Sequence, residues 1–244
     1  GVHATQTKKN RRLRHREVWL TIMTMHLQRD LDNLRKSILL LGARVEENIN
    51  HAISLQANRD LSITALMRVA EIEINEMEVA IEEECLKVLA LHQPVAVDLR
   101  FIIVVLKVNN DLERMGDQAI NVLERIEFLA QHPRIEASLE FGAMGELVKT
   151  MVKSCLDALV NHEVALAKSV CKLDDKVDAI HAAMFVKLRS IMEADARLIA
   201  PSLSLLTISS NFERIADLAT NIAEEVIFME EGEVVRHKTQ RAAK

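Results

Sequence analysis

Glycine, proline and aromatic residues are scarce in this chain of 244 residues, which has 6 Gly, 3 Pro and no Tyr. Ordinary proteins contain about 7% Gly and about 5% Pro. Because Gly and Pro mark most sharp connections, a chain this poor in them has few turns and cannot form many short strands. Helix-forming residues dominate instead. The composition predicts an all-α protein built from a few long helices.

Long apolar runs and paired cysteines are also missing. The densest apolar stretch, from Phe101 to Leu106, is far shorter than the roughly 20 residues that a membrane-spanning helix requires. The three cysteines stand singly, which indicates reduced thiols and not a disulfide framework or a zinc site. The amino end does not have the pattern of a secretory signal. We therefore expect a cytoplasmic protein.

Charge is unevenly distributed along the chain. The net charge is −5, but residues 1–22 hold six Lys or Arg and one acid, so the remainder carries −10. A basic leader of this kind could contact nucleic acid or anionic lipid, or form a disordered extension, which we expect for residues 1–24. An acidic body without a basic face that carries aromatic residues argues against nucleic acid as a partner.

Five short segments interrupt an otherwise continuous helical pattern, at 58–60, 92–94, 131–133, 161–163 and 196–201. Between them the apolar residues recur at i, i+3, i+4 and i+7, which is the spacing of one face of an α-helix. Helices of this length pack side by side in bundles. The sequence therefore predicts six long helices.

An internal repeat indicates how these helices are grouped. Asn110–Asp117 matches Ser210–Asp217 at an offset of 100. Asn58–Leu61 matches Asn161–Val164 at an offset of 103. Recurrence of this kind means that one structural unit occurs twice. The predicted parts are the basic extension (1–24), a first three-helix bundle (25–132), a second three-helix bundle (137–231) and a C-terminal tail (232–244).

Acids four residues apart recur at equivalent places in both halves of the chain. The pairs are Glu113 with Asp117, Glu213 with Asp217, and Asp174 with Asp178. This spacing puts two carboxylates on one helix face, where like charges repel and a bound cation would compensate. Facing pairs on adjacent helices could bridge several hard metal ions through oxygen ligands. The alternative is a solvated or salt-bridged stripe of acids.

Motifs for other chemistry are absent from the sequence. It contains neither a glycine-rich nucleotide loop nor a recognisable nucleophile motif, so we expect a protein that is not an enzyme. The histidines within the predicted helices stand singly and are interpreted as surface or core residues: His26, His51, His92, His162 and His181.

Two groups of motifs resemble the PhoU family. The first is Leu106–Asp117 with the preceding Gln93–Arg100. The second is Phe212–Asp217 with Asn221–Glu224, and the resemblance covers about residues 25–237. It implies two similar three-helix bundles and a cytoplasmic regulator that exerts negative control over the phosphate-starvation response. The implied partners are the ATPase subunit of the phosphate ABC transporter and a membrane sensor histidine kinase, with membrane association through these partners and a homodimer as the family's habit.

The resemblance also implies multinuclear metal clusters, with iron favoured and zinc, manganese or magnesium as alternatives, on E/D-x-x-x-D motifs. Asn75 stands where the family has Asp, so the first site is expected to be weaker or differently loaded, since an amide supplies no charge. The ligands carried over to this sequence are Glu71, Glu113, Asp117, Asp174, Asp178, Glu213 and Asp217.

Two other functions stay open at this point. One is a multinuclear metal enzyme that uses the carboxylate clusters for redox or hydrolytic chemistry, against which the lack of histidine ligands and of a substrate motif counts. The other is a general helical scaffold, such as a stress or persistence factor, whose acids are plain surface. Metal analysis separates the scaffold from the metal-binding functions.

Overall fold

Six α-helices account for most of the chain, as the sequence predicts, and no strand occurs in the part described. The computed structural model describes the backbone of residues 2–232 and the side chains of residues 25–232. Short 3₁₀ turns at Leu61–Ile63 and Ala196–Leu198 precede the second and sixth helices. The helices are α1 (Val2–Asn58), α2 (Thr64–His92), α3 (Ala96–Leu129), α4 (Phe141–Asn161), α5 (Val164–Ala194) and α6 (Ile199–Glu231).

The helices are grouped as two three-helix bundles that share one core. Helices α1, α2 and α3 pack against one another, as do α4, α5 and α6. The bundles meet where α3 packs on α6 and α1 packs on α4, and buried residues from both bundles form one cluster. Arg100 Nη1 donates to the Met229 carbonyl at 3.2 Å, and Lys107 Nζ lies 3.1 Å from Glu225 Oε2, so α3 and α6 run antiparallel.

The backbone repeats the duplication found in the sequence. Arg59, which follows α1, and His162, which follows α4, stand at an offset of 103 and both have a positive φ, of 54° and 58°. A left-handed residue ends a helix and turns the chain back, so both bundles begin with an antiparallel helix pair. Asp60 caps the first of these turns by accepting a hydrogen bond from the backbone N–H of Ser62 at 3.0 Å.

The extension predicted for residues 1–24 stays a prediction, and only the course of the backbone is described there. Its backbone is helical from Val2 and continues into the rest of α1. No Gly or Pro occurs between Gly1 and Gly42, so the local chemistry contains no helix stop between the two parts. The predicted tail lies outside the described residues from position 233 onward. The boundaries predicted for the two bundles stay predictions.

Candidate metal centre

Four carboxylates of α5 and α6 form one group in the second bundle, which we call the second cluster: Asp174, Asp178, Glu213 and Asp217. Burial, followed by the charges of Asp217 and Asp178, raises the pKa of Asp174 to about 7. Burial and the same two aspartates raise the pKa of Glu213, which Arg214 partly offsets. Burial and Asp178 raise the pKa of Asp217. The structure thus brings all four predicted ligands of this bundle within electrostatic reach of one another.

In the first bundle, the structure brings together Glu113 and Asp117 of α3 with Glu78 of α2. Burial, then Asp117 and Glu78, raises the pKa of Glu113. Burial raises the pKa of Asp117. Burial and Glu82 raise the pKa of Glu78. We call Glu71, Glu78, Glu113 and Asp117 the first cluster, in which Glu78 is a member that the sequence interpretation did not single out.

Side-chain hydrogen bonds fix how the helices of each cluster lie against each other. Asn109 Nδ2 donates to the Glu78 carbonyl at 2.9 Å and to Glu78 Oε1 at 3.3 Å. His181 Nδ1 lies 2.8 Å from Ser209 Oγ. The sequence offsets of 103 and 100 place His181 on Glu78 and Ser209 on Asn109. We call these two contacts the flanking pairs, because each closes one end of its cluster.

The register that follows from the flanking pairs aligns the remaining positions. In the first bundle, one helical turn from the Glu78–Asn109 contact brings Asn75 level with Glu113, and the next turn brings Glu71 level with Asp117. Asn75 is exposed, and the carboxylate that acts on Glu113 from α2 is Glu78. The part that Glu71 plays in binding an ion stays a prediction.

The same count in the second bundle starts from the His181–Ser209 contact. One turn along the antiparallel helices brings Asp178 level with Glu213, and the next brings Asp174 level with Asp217. The charge effects among these carboxylates agree with that alignment. In each bundle, three pairs of residues therefore face each other across the two helices: the flanking pair and the two pairs that follow it at intervals of one turn.

A small residue next to each cluster lets the helices approach. Gly116 of α3 is buried, and a Cβ built on it would lie 3.3 Å from Ile74 Cγ2 of α2. Ala216, at the equivalent position of α6, is fully buried. Because the helices pack closely here, the neighbouring carboxylates are partly shielded from water, and burial is the first cause of their raised pKa values.

The donor chemistry of both clusters suits a hard metal ion. Carboxylate oxygens are the ligands that Mg²⁺, Mn²⁺ and iron accept. Asn109 adds an oxygen, since its Oδ1 is buried without a hydrogen-bond partner in the described part of the chain and lies one turn before Glu113. Across residues 25–232, however, no three His, Cys, Asp or Glu side chains converge as ligands of one ion would. The carboxylates would therefore have to change rotamer to close on a metal.

Comparison with known proteins identifies the family. The family model described as the PhoU domain matches residues 38–126 and again residues 141–226. The chain belongs to the PhoU family. Both matches lie within the bundles, and the second begins at the first residue of α4.

Relatives named PhoU match this chain along most of their own length. The phosphate-specific transport system accessory protein PhoU of Escherichia coli is 31% identical over 210 residues, which cover 85% of this chain and 86% of that protein. Its homologue from Pseudomonas aeruginosa is 36% identical over 209 residues, with 85% and 86% covered.

Solved PhoU structures have the same fold. The crystal structure of PhoU from Pseudomonas aeruginosa superposes with a TM-score of 0.80 at 35% identity, covering 84% of this chain and 99% of that one. The phosphate transport system regulatory protein PhoU from Streptococcus pneumoniae gives a TM-score of 0.78 at 31% identity, covering 86% and 99%. Among the described helices of this PhoU chain, none is both long and apolar enough to cross a bilayer.

Proposed function

We propose that the protein is a non-enzymatic, metal-binding adaptor that exerts negative control over the phosphate-starvation response. It couples the ATPase subunit of a phosphate ABC transporter to a sensor histidine kinase and so controls phosphate uptake. The observation that carries this proposal is the PhoU domain found in both bundles, together with relatives named as accessory or regulatory proteins of phosphate transport. The adaptor acts in the cytoplasm, reaches the membrane through its partners and works as a homodimer.

The two clusters would hold the metal in this proposal. Carboxylates at matching places in both bundles raise one another's pKa, and Arg114 and Arg214 offset this only in part. A bound cation removes that repulsion, which supports a multinuclear site, with iron as the first candidate and zinc, manganese or magnesium as alternatives. When bound, such ions would supply positive charge on an acidic protein, which suits contact with phosphate or with anionic partner surfaces.

A deletion experiment tests the regulatory role. Removing the gene from its host should raise alkaline phosphatase activity in high-phosphate medium, because the kinase is no longer held in check. A plasmid with the intact gene should restore repression. If the deletion strain keeps the low activity of the parent in high phosphate, the regulatory proposal is wrong.

Elemental analysis tests the metal-binding part. Protein purified without chelator should contain metal, and the double variant Asp117→Ala with Asp217→Ala should contain much less, since each change removes a ligand from one cluster. Equal metal content in the wild type and the double variant would mean that the clusters are not the binding sites.

A helical scaffold whose acids are plain surface is the second candidate. One observation favours it, namely that no three potential ligands converge among the described side chains. A purified protein without metal, and a double variant that represses as the wild type does, would leave this function in place of the adaptor with metal clusters.

A further inference from the structure

The outward side of α2 carries exposed apolar residues at a regular interval. Ile72, Val79 and Leu86 stand seven residues apart and are 59%, 52% and 56% exposed. A seven-residue interval keeps side chains on one face of a helix and is the interval at which helices pair in coiled coils. Helix α2 packs against α1 and α3 on its other sides, which leaves this row uncovered within the described part of the chain. The row is suited to packing against a further helix.

The second bundle does not repeat this apolar row. The sequence offset of 103 places the three positions on α5, where they are also exposed and hold Asp175, Ala182 and Arg189. Because α5 has the same place in its bundle as α2 has in the first, the fold itself does not require apolar residues at these positions. Exposed apolar side chains that form a continuous row indicate a site of interaction.

Acids beside the row determine which kind of helix it accepts. Glu76, Glu82 and Glu83 are exposed next to it, and none of them has an ion-pair partner within residues 25–232. The only Lys and Arg of α2 already pair with other acids, each at 2.9 Å. An anionic bilayer, or α2 of a second copy, would bring like charges together on this face. The row therefore calls for a helix that combines apolar residues with positive charge.

We propose that the basic extension (1–24) of a second copy docks on this side of α2. Residues 1–22 hold six Lys or Arg and one acid. Leu13 and Leu20 stand seven residues apart, and Arg12 and Arg16 lie within one turn of Leu13 in the sequence. This pattern matches the apolar row in its interval and the neighbouring acids in its charge. The outer face of α2 is defined by Ile72, Val79 and Leu86 with Glu76, Glu82 and Glu83.

The course of α1 separates the extension from α2 of its own chain. His92 at the end of α2 lies 3.0 Å from Asp30, so α2 ends close to where the described side chains of α1 begin. The backbone of α1 is one helix from Val2 to Asn58. At about 1.5 Å per residue, Leu13 lies roughly 25 Å before Asp30 along this helix, in the direction away from α2. The extension therefore meets an outer face of α2 on another copy.

Disulfide cross-linking of the full-length chain tests the contact. A Leu20→Cys variant is mixed in turn with Ile72→Cys, Val79→Cys or Leu86→Cys, and each mixture is mildly oxidised. We expect a disulfide between the two chains in at least one mixture, identified by mass spectrometry of the linked peptides. Ala182→Cys, at the equivalent exposed position of α5, is the matched control and should not be linked. The wild type, with its three cysteines, gives the background.

Charge reversal supplies the second readout, by sedimentation velocity over a range of protein concentrations. Arg12→Glu with Arg16→Glu, and separately Glu76→Lys with Glu83→Lys, should each weaken self-association on the order of 10-fold. Mixing the two double variants should restore it, because each then offers the charge that the other lacks. Glu136→Lys with Glu140→Lys, two exposed acids of the segment between the bundles, should associate as the wild type does.

The outcomes separate this contact from the homodimer proposed above, and neither metal nor the phosphate response enters the test. A specific disulfide to the outer face, with recovery of association in the mixture of double variants, supports the inference. Self-association that neither charge reversal weakens overturns it and leaves a homodimer that uses another surface. A disulfide between two Val79→Cys chains in place of the mixed one identifies α2 of a second copy as the occupant and also overturns it. A chain that stays monomeric overturns both.

Discussion

The carboxyl of Asp174 is half-buried among the other carboxylates of the second cluster. Burial, Asp217 and Asp178 raise its pKa to about 7, above the usual value of 3.8. A raised folded-state pKa means that the folded protein binds a proton that the unfolded chain has released, so the stability of the metal-free protein falls as the pH rises from about 4 to about 7.

Asp174→Asn should therefore stabilise the metal-free protein at pH 8, on the order of 2 kcal/mol after allowance for solvent screening. The difference from the wild type should vanish below about pH 4, where the aspartate is protonated in both states. Urea unfolding across pH 4–8 measures this. Glu193→Gln, an exposed position on the same helix, is the control, and a pH-independent effect of Asp174→Asn would contradict the assigned cause.

Asp30 shows the opposite pKa shift. It is buried near the start of the described side chains, and its Oδ2 lies 3.0 Å from His92 Nε2 at the end of α2. The hydrogen bond with His92 lowers the pKa of Asp30, burial opposes this, and Arg29 adds to the lowering. Because the folded-state pKa is lowered, the ionised carboxylate contributes stability above about pH 4 that is lost as the pH falls through that pKa.

Asp30→Asn should lower the free energy of unfolding at pH 7 by about 1.5–3 kcal/mol, the usual range for a hydrogen bond to a charged group. The loss should shrink as the pH falls below about 4. Asp32→Asn is the matched control, since its partly exposed contact with Arg35 contributes roughly 0–1 kcal/mol. Denaturant titrations at pH 3 and pH 7 compare the two variants, and equal losses in both would contradict a special role for the Asp30–His92 contact.

At the scale of helices, the contact between α1 and α4 depends on a missing side chain. A Cβ built on Gly145 would lie 2.8 Å from Ile53 Cγ2. Ile53 is β-branched and has little rotamer freedom on a helix, so it cannot easily move aside. Gly142 on the same helix is open, since a Cβ there would meet no described atom within 4 Å.

Gly145→Ala should destabilise the protein by about 1–3 kcal/mol through overpacking, although alanine favours the helix by about 1 kcal/mol. Gly142→Ala gains helix propensity without the clash and should raise stability by up to about 1 kcal/mol. Thermal and urea unfolding of both variants provide the comparison. Changes of the same sign in the two variants would show that the contact with Ile53 does not limit this interface.

Elements were easier to predict from the sequence than contacts between them. Scarce Gly and Pro with a helical apolar period indicated six helices, and the match of Asn110–Asp117 to Ser210–Asp217 indicated two bundles. Glu78 and His181 were missed because their importance depends on the register between helices, which Asn109 and Ser209 fix through contacts that no local pattern reveals.

At the scale of the whole molecule, the two bundles each carry one cluster, and this duplication has a measurable result. Metal that binds only the folded state raises stability by about 2.7 kcal/mol at one hundred times its dissociation constant. Mn²⁺ should raise the unfolding temperature of the wild type, and the rise should be smaller in Asp117→Ala or Asp217→Ala alone and absent in the double variant. Asp32→Ala with Asp157→Ala, two partly exposed acids outside the clusters, should keep the full rise in differential scanning calorimetry.

The packing of α3 on α6 also bears on how the two clusters influence each other. Each of these helices carries two carboxylates of its own cluster, and the two helices are in direct contact across the bundles. If ion binding in the first bundle moved α3, the movement would be passed to the helix that carries Glu213 and Asp217. Thermodynamic linkage would make such cooperativity mutual, so that occupancy of either cluster would change the affinity of the other by the same factor.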